Sequence, residues 1–350
     1  MHTELTKKDR VRAAIAHQRP DRTPKGDLAI EQGLLRKLIG EERYDALSPN
    51  ERMLTALTQL DADLVNIHQF PMEQVGENEK GQPIFRSVLG DEHVITANSS
   101  HLVKPAIADI AEVDAYLSPD PATCLTDTLD WFRDHSDLFL FAQVMGPISS
   151  LDWMLSTEDF MIYSMTDTEA IVQLAEKVIT YEISRAKTFL DHGADAIMIT
   201  DDMAFNSGLF LPPQIMDQLA WPLYKRMVTE IKAHRDVPVF LHTDGDINRA
   251  LGNIVDCGFD GLQSLQPSAG MDIESVKEQY GAQLCLMGNM DLDQLMTFSS
   301  PDEVTKQARW LCETIGQDGG FILSTCNILI DAIPVENARA MYGSVNNNNE

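Results

Sequence analysis

The stretch VPVFLHTDGDI, residues 237–247, is an apolar run that ends abruptly in His242, Asp244 and Asp246. A short, continuously apolar run is typical of a parallel β-strand that is buried on both faces. In folds built from such strands, the chemistry lies on the loops that follow the carboxyl ends of the strands. The stretch therefore predicts an α/β fold with a parallel sheet, and a functional site where this strand ends.

Seven similar runs lie elsewhere in the chain. Together with residues 237–242, the predicted strands are residues 23–28, 63–67, 138–144, 195–200, 260–265, 283–288 and 320–325. Segments with helical periodicity separate them, and several end in a glycine just before the next strand, as in DHGAD and DCGFD. Eight such units predict a (β/α)8 TIM barrel. A doubly wound open sheet is the alternative, but no glycine-rich dinucleotide fingerprint follows the first strand.

Two segments do not fit this alternation. Residues 6–17 are amphipathic and predict an N-terminal helix that caps the barrel or packs outside it. Residues 79–104 have a period of two and predict a small β-hairpin insertion. We expect residues 1–345 to form a single domain, followed by a disordered tail, NNNNE, at 346–350.

The composition excludes several classes of function. The chain has 27 basic and 54 acidic residues, a net charge of −27, which argues against binding nucleic acid through its phosphates. No apolar run approaches the about 20 residues that span a bilayer, and the N-terminus lacks a signal-peptide stretch. We therefore expect a cytoplasmic protein. Its five cysteines are irregularly spaced, which predicts mostly buried thiols, with one or two of them functional.

The predicted strands end in polar or small residues, whereas the loops before the strands carry little chemistry. The polar residues at these ends, besides the three at 242–246, include Lys25, Asn66, His68, Gln143, Asp201, Asp202, Gln266, Asn289, Asp291, Cys326 and Asn327. In a barrel these ends meet at one mouth, so the sequence predicts an active site there.

His242 and Asp244 give the sharpest local signal. Residues two apart on an extended segment point to the same side, so both side chains can share one metal ion. Cys326, at the end of the last strand, is the best candidate for a third ligand. Zinc takes nitrogen, oxygen and sulfur ligands of these kinds, and a catalytic zinc leaves its fourth position open. The pattern predicts a zinc site.

Simpler interpretations of the same residues exist. His242 can be an ordinary histidine at a strand end, Asp244 and Asp246 can cap the next helix, and Cys326 can be one more buried thiol. Asp244 can also orient His242 from behind. In that case Asp201 or Asp202 is the rival ligand.

The chain resembles the uroporphyrinogen decarboxylase superfamily over nearly its whole length. The resemblance is carried by RVRAAIAHQRPDRTP (10–24), GPISSLDWML (146–155), PVFLHTDGDI (238–247), GNMD (288–291) and STCNILIDAIPVEN (324–337). It implies the same (β/α)8 barrel.

The superfamily holds two activities, and the resemblance favours one of them. The decarboxylases carry an arginine-rich loop after the first strand, where this chain has KGDLAIEQG (25–33). The decarboxylases' aspartate after the second strand has no match at Asn66–His68. Their tyrosine aligns with Trp153, and their histidine near the last strand falls at or beside Cys326. The chain is more similar to the corrinoid-dependent methyltransferases, whose zinc site is His-x-Cys with a distant Cys. Asp244 stands where the first of those cysteines would be.

The resemblance implies a zinc-dependent methyltransferase of the O-demethylase type, acting in anaerobic one-carbon metabolism. We expect it to move a methyl group from a methyl ether, such as a methoxylated aromatic, to the cob(I)alamin of a partner corrinoid protein, with Asp202 or Asp244 supplying the proton. The alternatives are a tetrapyrrole decarboxylase, a thiol-directed methylcobamide methyltransferase, and a binding or scaffold subunit that has lost its chemistry. A monomer and a homodimer are both open.

The pocket for a small methylated substrate is expected near the mouth. The apolar side chains available to line it are Met145, Trp153, Met203, Phe205, Phe210 and Met290, each of which can equally be ordinary core. Lys25 is the candidate partner for a carboxylate on the substrate.

Overall fold

The computed structural model describes residues 4–96 and 100–345 of the 350-residue chain, so the tail predicted at 346–350 lies outside the described residues. The strands are β1 (Leu64–Ile67), β2 (Met72–Glu77), β3 (Pro83–Ser87), β4 (Glu92–Ile95), β5 (Ser100–Lys104), β6 (Phe139–Met145), β7 (Ala196–Thr200), β8 (Ala204–Phe205), β9 (Gly208–Leu209), β10 (Val239–Thr243), β11 (Gly261–Ser264), β12 (Cys285–Met290) and β13 (Phe321–Thr325). Seven of them form one parallel sheet in the order β1-β6-β7-β10-β11-β12-β13.

A short extended segment at 24–26 closes this sheet into the predicted barrel. On one side the Leu323 N–H donates to the Pro24 carbonyl at 2.9 Å, and the Gly26 N–H donates to the Leu323 carbonyl at 3.0 Å. On the other side the Asp63 N–H donates to the Lys25 carbonyl at 2.9 Å. The eighth strand expected at 23–28 is thus reduced to a single bridge between Lys25 and Leu323, partly because Pro24 has no N–H to donate.

The helices surround the sheet. They are α1 (Lys7–Ile15), α2 (Gln32–Ile39), α3 (Glu41–Ala46), α4 (Pro49–Gln59), α5 (Asp127–His135), α6 (Pro147–Met154), α7 (Thr157–Thr166), α8 (Thr168–Asp191), α9 (Pro213–Gln218), α10 (Ala220–His234), α11 (Leu251–Cys257), α12 (Ile273–Tyr280), α13 (Pro301–Trp310) and α14 (Val335–Gly343). Within the described ranges, no helix combines the length and the apolar character needed to cross a membrane.

Strand alternation divides the buried residues into two cores. Phe139 and Phe141 of β6 belong to an inner core in the lumen of the barrel, while Leu140 and Ala142 belong to an outer core beneath the helices. Val11 and Ala14 of α1 also belong to the inner core. The N-terminal helix therefore caps the amino-terminal end of the barrel, which is one of the two predicted positions.

The insertion is larger than the predicted hairpin. Strands β2–β5 form a four-stranded antiparallel sheet that begins at Met72, before the residues expected to form it. Every residue of β2 is at least partly exposed, so this strand lacks the alternation of buried and exposed positions that marks a strand in sequence.

The closure of the barrel is anchored by the buried carboxylate of Asp63. It accepts hydrogen bonds from Arg10 Nη1 at 2.7 Å, from Arg22 Nη1 at 2.6 Å and from the Lys25 backbone N–H at 3.0 Å. Asp63 is fully buried, and both arginine side chains are less than one-tenth exposed. One carboxylate thus joins α1, the closing segment and the start of β1.

Replacing Asp63 by alanine is expected to lower the free energy of unfolding by about 3–5 kcal/mol, because two buried guanidinium groups lose the buried carboxylate that they share. Asp45→Ala is the control. Asp45 pairs with Arg36, and both side chains are exposed, so its loss is expected to cost only a small fraction of that free energy. Urea denaturation of both variants measures the difference. Equal losses would contradict the role assigned to Asp63.

Candidate metal centre

His242 stands directly above the inner core. Two residues before it on β10, Phe240 belongs to the inner core, so alternation directs the imidazole into the barrel, and it is only 6% exposed. Its Nδ1 is hydrogen-bonded to Gln263 Oε1 on the neighbouring strand β11. Gln263 Nε2 donates to the Thr325 carbonyl at 3.0 Å, which fixes the amide with its oxygen towards the ring.

This arrangement determines which nitrogen of the imidazole carries the proton. Gln263 offers only an acceptor to Nδ1, so Nδ1 holds the hydrogen, and in the neutral form of the ring the lone pair is on Nε2. That lone pair faces a carboxylate oxygen, Asp202 Oδ1, at 3.7 Å. Two hydrogen-bond acceptors, Nε2 and the carboxylate oxygen, thus face each other. This arrangement is typical of a metal-binding histidine whose other nitrogen is held by a supporting residue.

In the described chain, Asp202, His242 and Asp244 form a group that could hold a metal ion, with one ligand atom from each lying within 4.8 Å of the others. We call these three residues the metal-ligand group. Hydrogen bonds hold the two carboxylates in place. Asp244 accepts from Ser264 Oγ at 2.6 Å and from Asn327 Nδ2 at 2.5 Å. Asp202 Oδ1 accepts from the Asp244 backbone N–H at 3.1 Å.

The donor set fits a divalent cation. One imidazole nitrogen and two carboxylate oxygens are all ligands that zinc accepts, and three protein ligands leave a position for a substrate or a water molecule. His242 and Asp244 are hydrogen-bonded to three polar side chains, those of Gln263, Ser264 and Asn327. Supporting hydrogen bonds of this kind orient the ligands in metal sites.

A glycine turn makes the approach of Asp244 possible. Gly245 has φ +88°, and a Cβ at this position would overlap the carbonyl groups of Ala204 and Phe205. The Asp246 N–H donates to the Phe205 carbonyl at 2.9 Å, which fastens the loop after β10 to the β8–β9 hairpin. Asp246 itself accepts from the Asn248 N–H at 3.0 Å and lies outside the ligand group.

Asp201, a rival ligand in the sequence, has a structural role instead. Its buried carboxylate accepts from the Ile148 N–H at 3.1 Å, from the Ser149 N–H and from the Tyr224 hydroxyl, both at 2.5 Å. It therefore caps the first turn of α6, and burial raises its pKa to about 6. Gly146 is required beside it, because a Cβ there would overlap this carboxylate.

Cys326, the expected third ligand, stays a prediction. Among the described residues, its sulfur is not one of the three ligand atoms that lie within 4.8 Å of one another, whereas an oxygen of Asp202 is. Burial raises the pKa of the Cys326 thiol to about 12, with further upward contributions from Asp244 and Asp291, while a backbone hydrogen bond from Leu292 opposes the shift. The sulfur therefore lies near Asp244 as well as near the loop after β12.

Three of the predicted substrate contacts have other partners in the structure. Lys25 is 2% exposed and donates from Nζ to the Tyr342 carbonyl at 2.8 Å, so it cannot reach a substrate carboxylate. Met203 is fully buried in the outer core. Trp153 stacks on His93 of the small sheet, with ring centroids 4.2 Å apart.

Met145 and Phe205 lie near the carboxyl ends of β6 and β7. Met145 ends β6, directly beside Thr200 of β7 and two residues beyond Gln143. Phe205 is 53% exposed on the β8–β9 hairpin and packs on Phe210 at 4.1 Å between ring centroids. Both remain predicted substrate contacts.

The sequence pattern missed the residues behind the ligands. Gln263 and Ser264 lie inside a strand predicted as apolar, and neither was singled out. The available signal was their polarity, because a fully buried parallel strand has no reason to carry an amide and a hydroxyl unless they meet partners. Ser264 also has φ +99°, a strained conformation for a side chain with a Cβ, next to the ligand group.

Comparisons with known proteins agree with this architecture. A structure described as a methyltransferase from Methanosarcina mazei superposes with a TM-score of 0.76 at 20% identity, covering 97% of this chain and 98% of that one. This similarity supports the barrel fold.

Curated relatives fall into both activities of the superfamily. Methylcobamide:CoM methyltransferase MtaA of Methanosarcina barkeri is 26% identical over 209 residues, which are 59% of this chain and 58% of that protein. Uroporphyrinogen decarboxylase of Chlorobaculum tepidum is 25% identical over 234 residues, 61% of each chain. The chain therefore spans about three fifths of the length of these relatives.

The family model for uroporphyrinogen decarboxylase (URO-D) matches residues 92–347, well over half of the chain. The match includes β10 with His242, the loop with Asp244 and the last strand β13. The relatives of this chain include methyltransferases, in agreement with its resemblance to the methyltransferase branch of the superfamily. The chain belongs to the uroporphyrinogen decarboxylase family.

Proposed function

We propose that the chain is a zinc-dependent methyltransferase that moves a methyl group from a methyl ether to the cob(I)alamin of a partner corrinoid protein. The observation that carries the proposal is the convergence of one imidazole lone pair and two carboxylates, from Asp202, His242 and Asp244, at the mouth of the barrel. The relatives named as methylcobamide and methylated-thiol methyltransferases support the reaction class.

The ligand set favours an oxygen-linked methyl group. Two carboxylates and an imidazole form a harder donor set than one that contains thiolates. Zinc bound there would supply a strong Lewis acid for the oxygen of a methyl ether, which becomes the leaving group when the methyl carbon is attacked.

The residues of the chain have separate tasks. Gln263 holds His242 in the tautomer that leaves Nε2 free for a metal. Asp244 is fixed by Ser264 and Asn327 and serves as a ligand. Asp202 completes the ligand group, and because its side chain is 52% exposed, water can reach this side of the mouth and supply the proton of the leaving oxygen.

Two alternatives remain as outcomes of the tests. A thiol-directed reaction fits the names of two relatives. The ligand atoms that gather in the described residues are two carboxylate oxygens and an imidazole nitrogen, and this composition weighs against a thiolate-rich metal site. A tetrapyrrole decarboxylase needs cationic clamps, and the candidate Lys25 is buried against α14.

Zinc binding is expected to depend on the three ligands and on no other carboxylate of the loop. His242→Ala and Asp202→Asn should each weaken zinc binding by more than about 100-fold, because losing even a supporting residue behind a ligand weakens a metal site about 10–100-fold. Asp246→Asn is the matched control, since Asp246 lies outside the group and asparagine keeps its bond to Asn248. Titration calorimetry and metal analysis give the affinities. Unchanged binding in His242→Ala would disprove the site.

Gln263→Leu is expected to weaken zinc binding by about 10–100-fold without touching a ligand, because His242 loses the acceptor that fixes its tautomer. Gln263→Glu keeps an acceptor towards Nδ1, so its zinc affinity should lie between those of the wild type and Gln263→Leu. Circular dichroism checks that both variants are folded. Wild-type affinity in Gln263→Leu would show that the glutamine has no part in the site.

The proposed reaction is tested with zinc-loaded protein, free cob(I)alamin and 2-methoxyphenol under reducing conditions, following the cobalt spectrum. We expect methylcob(III)alamin to form with the wild type and with Asp246→Asn, and the rate to fall by more than about 100-fold in His242→Ala. Parallel reactions use methylcobalamin with coenzyme M, and uroporphyrinogen alone. Turnover in either of these without ether demethylation would replace the proposed function by the thiol-directed or the decarboxylase alternative.

A further inference from the structure

A second glutamine–histidine pair lies in the mouth of the barrel. His68 follows β1, and its Nδ1 lies 3.3 Å from Gln143 Oε1 on the neighbouring strand β6. Gln143 Nε2 donates to the Leu28 carbonyl at 3.3 Å, so its oxygen faces the ring. As with Gln263 and His242, a glutamine tied to a backbone carbonyl fixes a histidine with its hydrogen on Nδ1 and its lone pair on Nε2.

His68 lies across the barrel from the metal centre. Leu64 of β1 belongs to the inner core, and His68 lies four residues later on the same side of the extended chain. In the sheet, β6 and β7 separate β1 from β10, which carries His242. The two imidazoles therefore approach the mouth from different walls, and His68 is not part of the metal-ligand group.

The ring of His68 is neutral and available. Desolvation by the neighbouring protein lowers its pKa, with a smaller contribution from the positive charge of Arg185. It nevertheless keeps an exposed face, as a group that lines a cavity does. Among the described residues, its hydrogen-bond partner is Gln143 through Nδ1, and Nε2 is left without a donor.

The rest of the mouth is rich in acceptors and acidic groups. In the three positions that follow each of the seven strands of the parallel sheet there are six aspartates and no lysine or arginine. The aspartates are Asp201, Asp202, Asp244, Asp246, Asp291 and Asp293. The two ligand carboxylates would balance the charge of a bound zinc ion, and Arg185 near His68 is already paired with Glu182. An anionic ligand would therefore still meet the remaining acidic groups with no free cation directly after the strands, whereas a neutral or cationic ligand would not meet this repulsion.

We propose that His68 is a substrate-binding residue whose Nε2 accepts a hydrogen bond from an O–H or N–H group on a neutral or cationic substrate, opposite the metal centre. Gln143 is the positioning residue that keeps this acceptor free. The substrate class follows from the acceptors and acids that line the mouth, and the choice of a methyl ether as the methyl donor rests on the proposed function.

The test compares ligands that differ in one group. Zinc-loaded protein, without any corrinoid, is titrated with 2-methoxyphenol, methoxybenzene and 4-methoxybenzoate. The wild type is expected to bind the phenol about tenfold more tightly than methoxybenzene, which is the ratio that one net hydrogen bond of about 1.4 kcal/mol provides. The benzoate should bind most weakly. In His68→Phe, which keeps a ring and removes the acceptor, the preference for the phenol should disappear.

A second measurement does not depend on any ligand. The ¹⁵N spectrum of histidine-labelled wild-type protein at pH 7 should show His68 with an unprotonated Nε2, and Gln143→Met should shift it towards a mixture of tautomers. A protonated Nε2, equal binding of the phenol and methoxybenzene by the wild type, or preference for the benzoate would overturn the proposal.

These outcomes are separate from failure of the proposed function. Binding is measured without methyl transfer, so a protein that binds as expected but moves no methyl group keeps the assignment of His68 and loses the reaction. Conversely, methyl transfer with no effect of His68→Phe on the preference between ligands keeps the reaction and removes His68 from the substrate site.

Discussion

The ion pairs around the Asp63 carboxylate are the constraint on which the site depends. This one buried group holds Arg10 of α1, Arg22 and the backbone of Lys25. It thereby fixes the short segment that joins β13 to β1. A charge buried at this depth is stable only when it is fully paired, and here two guanidinium groups and a backbone N–H meet it. With the barrel closed, the carboxyl ends of its strands face one mouth, and residues far apart in sequence become neighbours.

Towards the mouth, the side chains that point into the barrel change from apolar to polar at the same height on neighbouring strands. Phe141, Met198 and Phe240 of the inner core are each followed, two residues later on the same strand, by a polar side chain, and Gln143 and His242 are two of these. A buried polar layer is stable only if its hydrogen bonds are satisfied, and the glutamine amides achieve this by donating to backbone carbonyls. The same bonds orient the histidines, so the interactions that make the layer stable also prepare it for ligands.

The strands could be predicted from sequence because burial on both faces leaves a local mark, whereas the direction of a side chain depends on distant contacts. Lys25 was expected at the mouth. It lies on the outer face because its neighbour Gly26 faces Leu64 of the inner core. The segment is too short to show the alternation of apolar and polar residues from which these directions could be predicted. His242 and Asp244 could be paired by their spacing. Which third residue joins them was not encoded locally, since Asp202 approaches from β7.

The ligand set and the charge of the mouth favour the same kind of substrate for independent reasons. Carboxylates at the metal centre favour polarisation of oxygen over activation of a thiol, which is an argument about the bond that breaks. Besides the ligands Asp202 and Asp244, four aspartates and no lysine or arginine lie directly after the strands, which disfavours anions and is an argument about the rest of the molecule. A sulfonated thiol meets both objections, a carboxylated tetrapyrrole meets the second, and a neutral hydroxylated ether meets neither. The agreement of two unrelated features is a stronger reason for this substrate class than either gives alone.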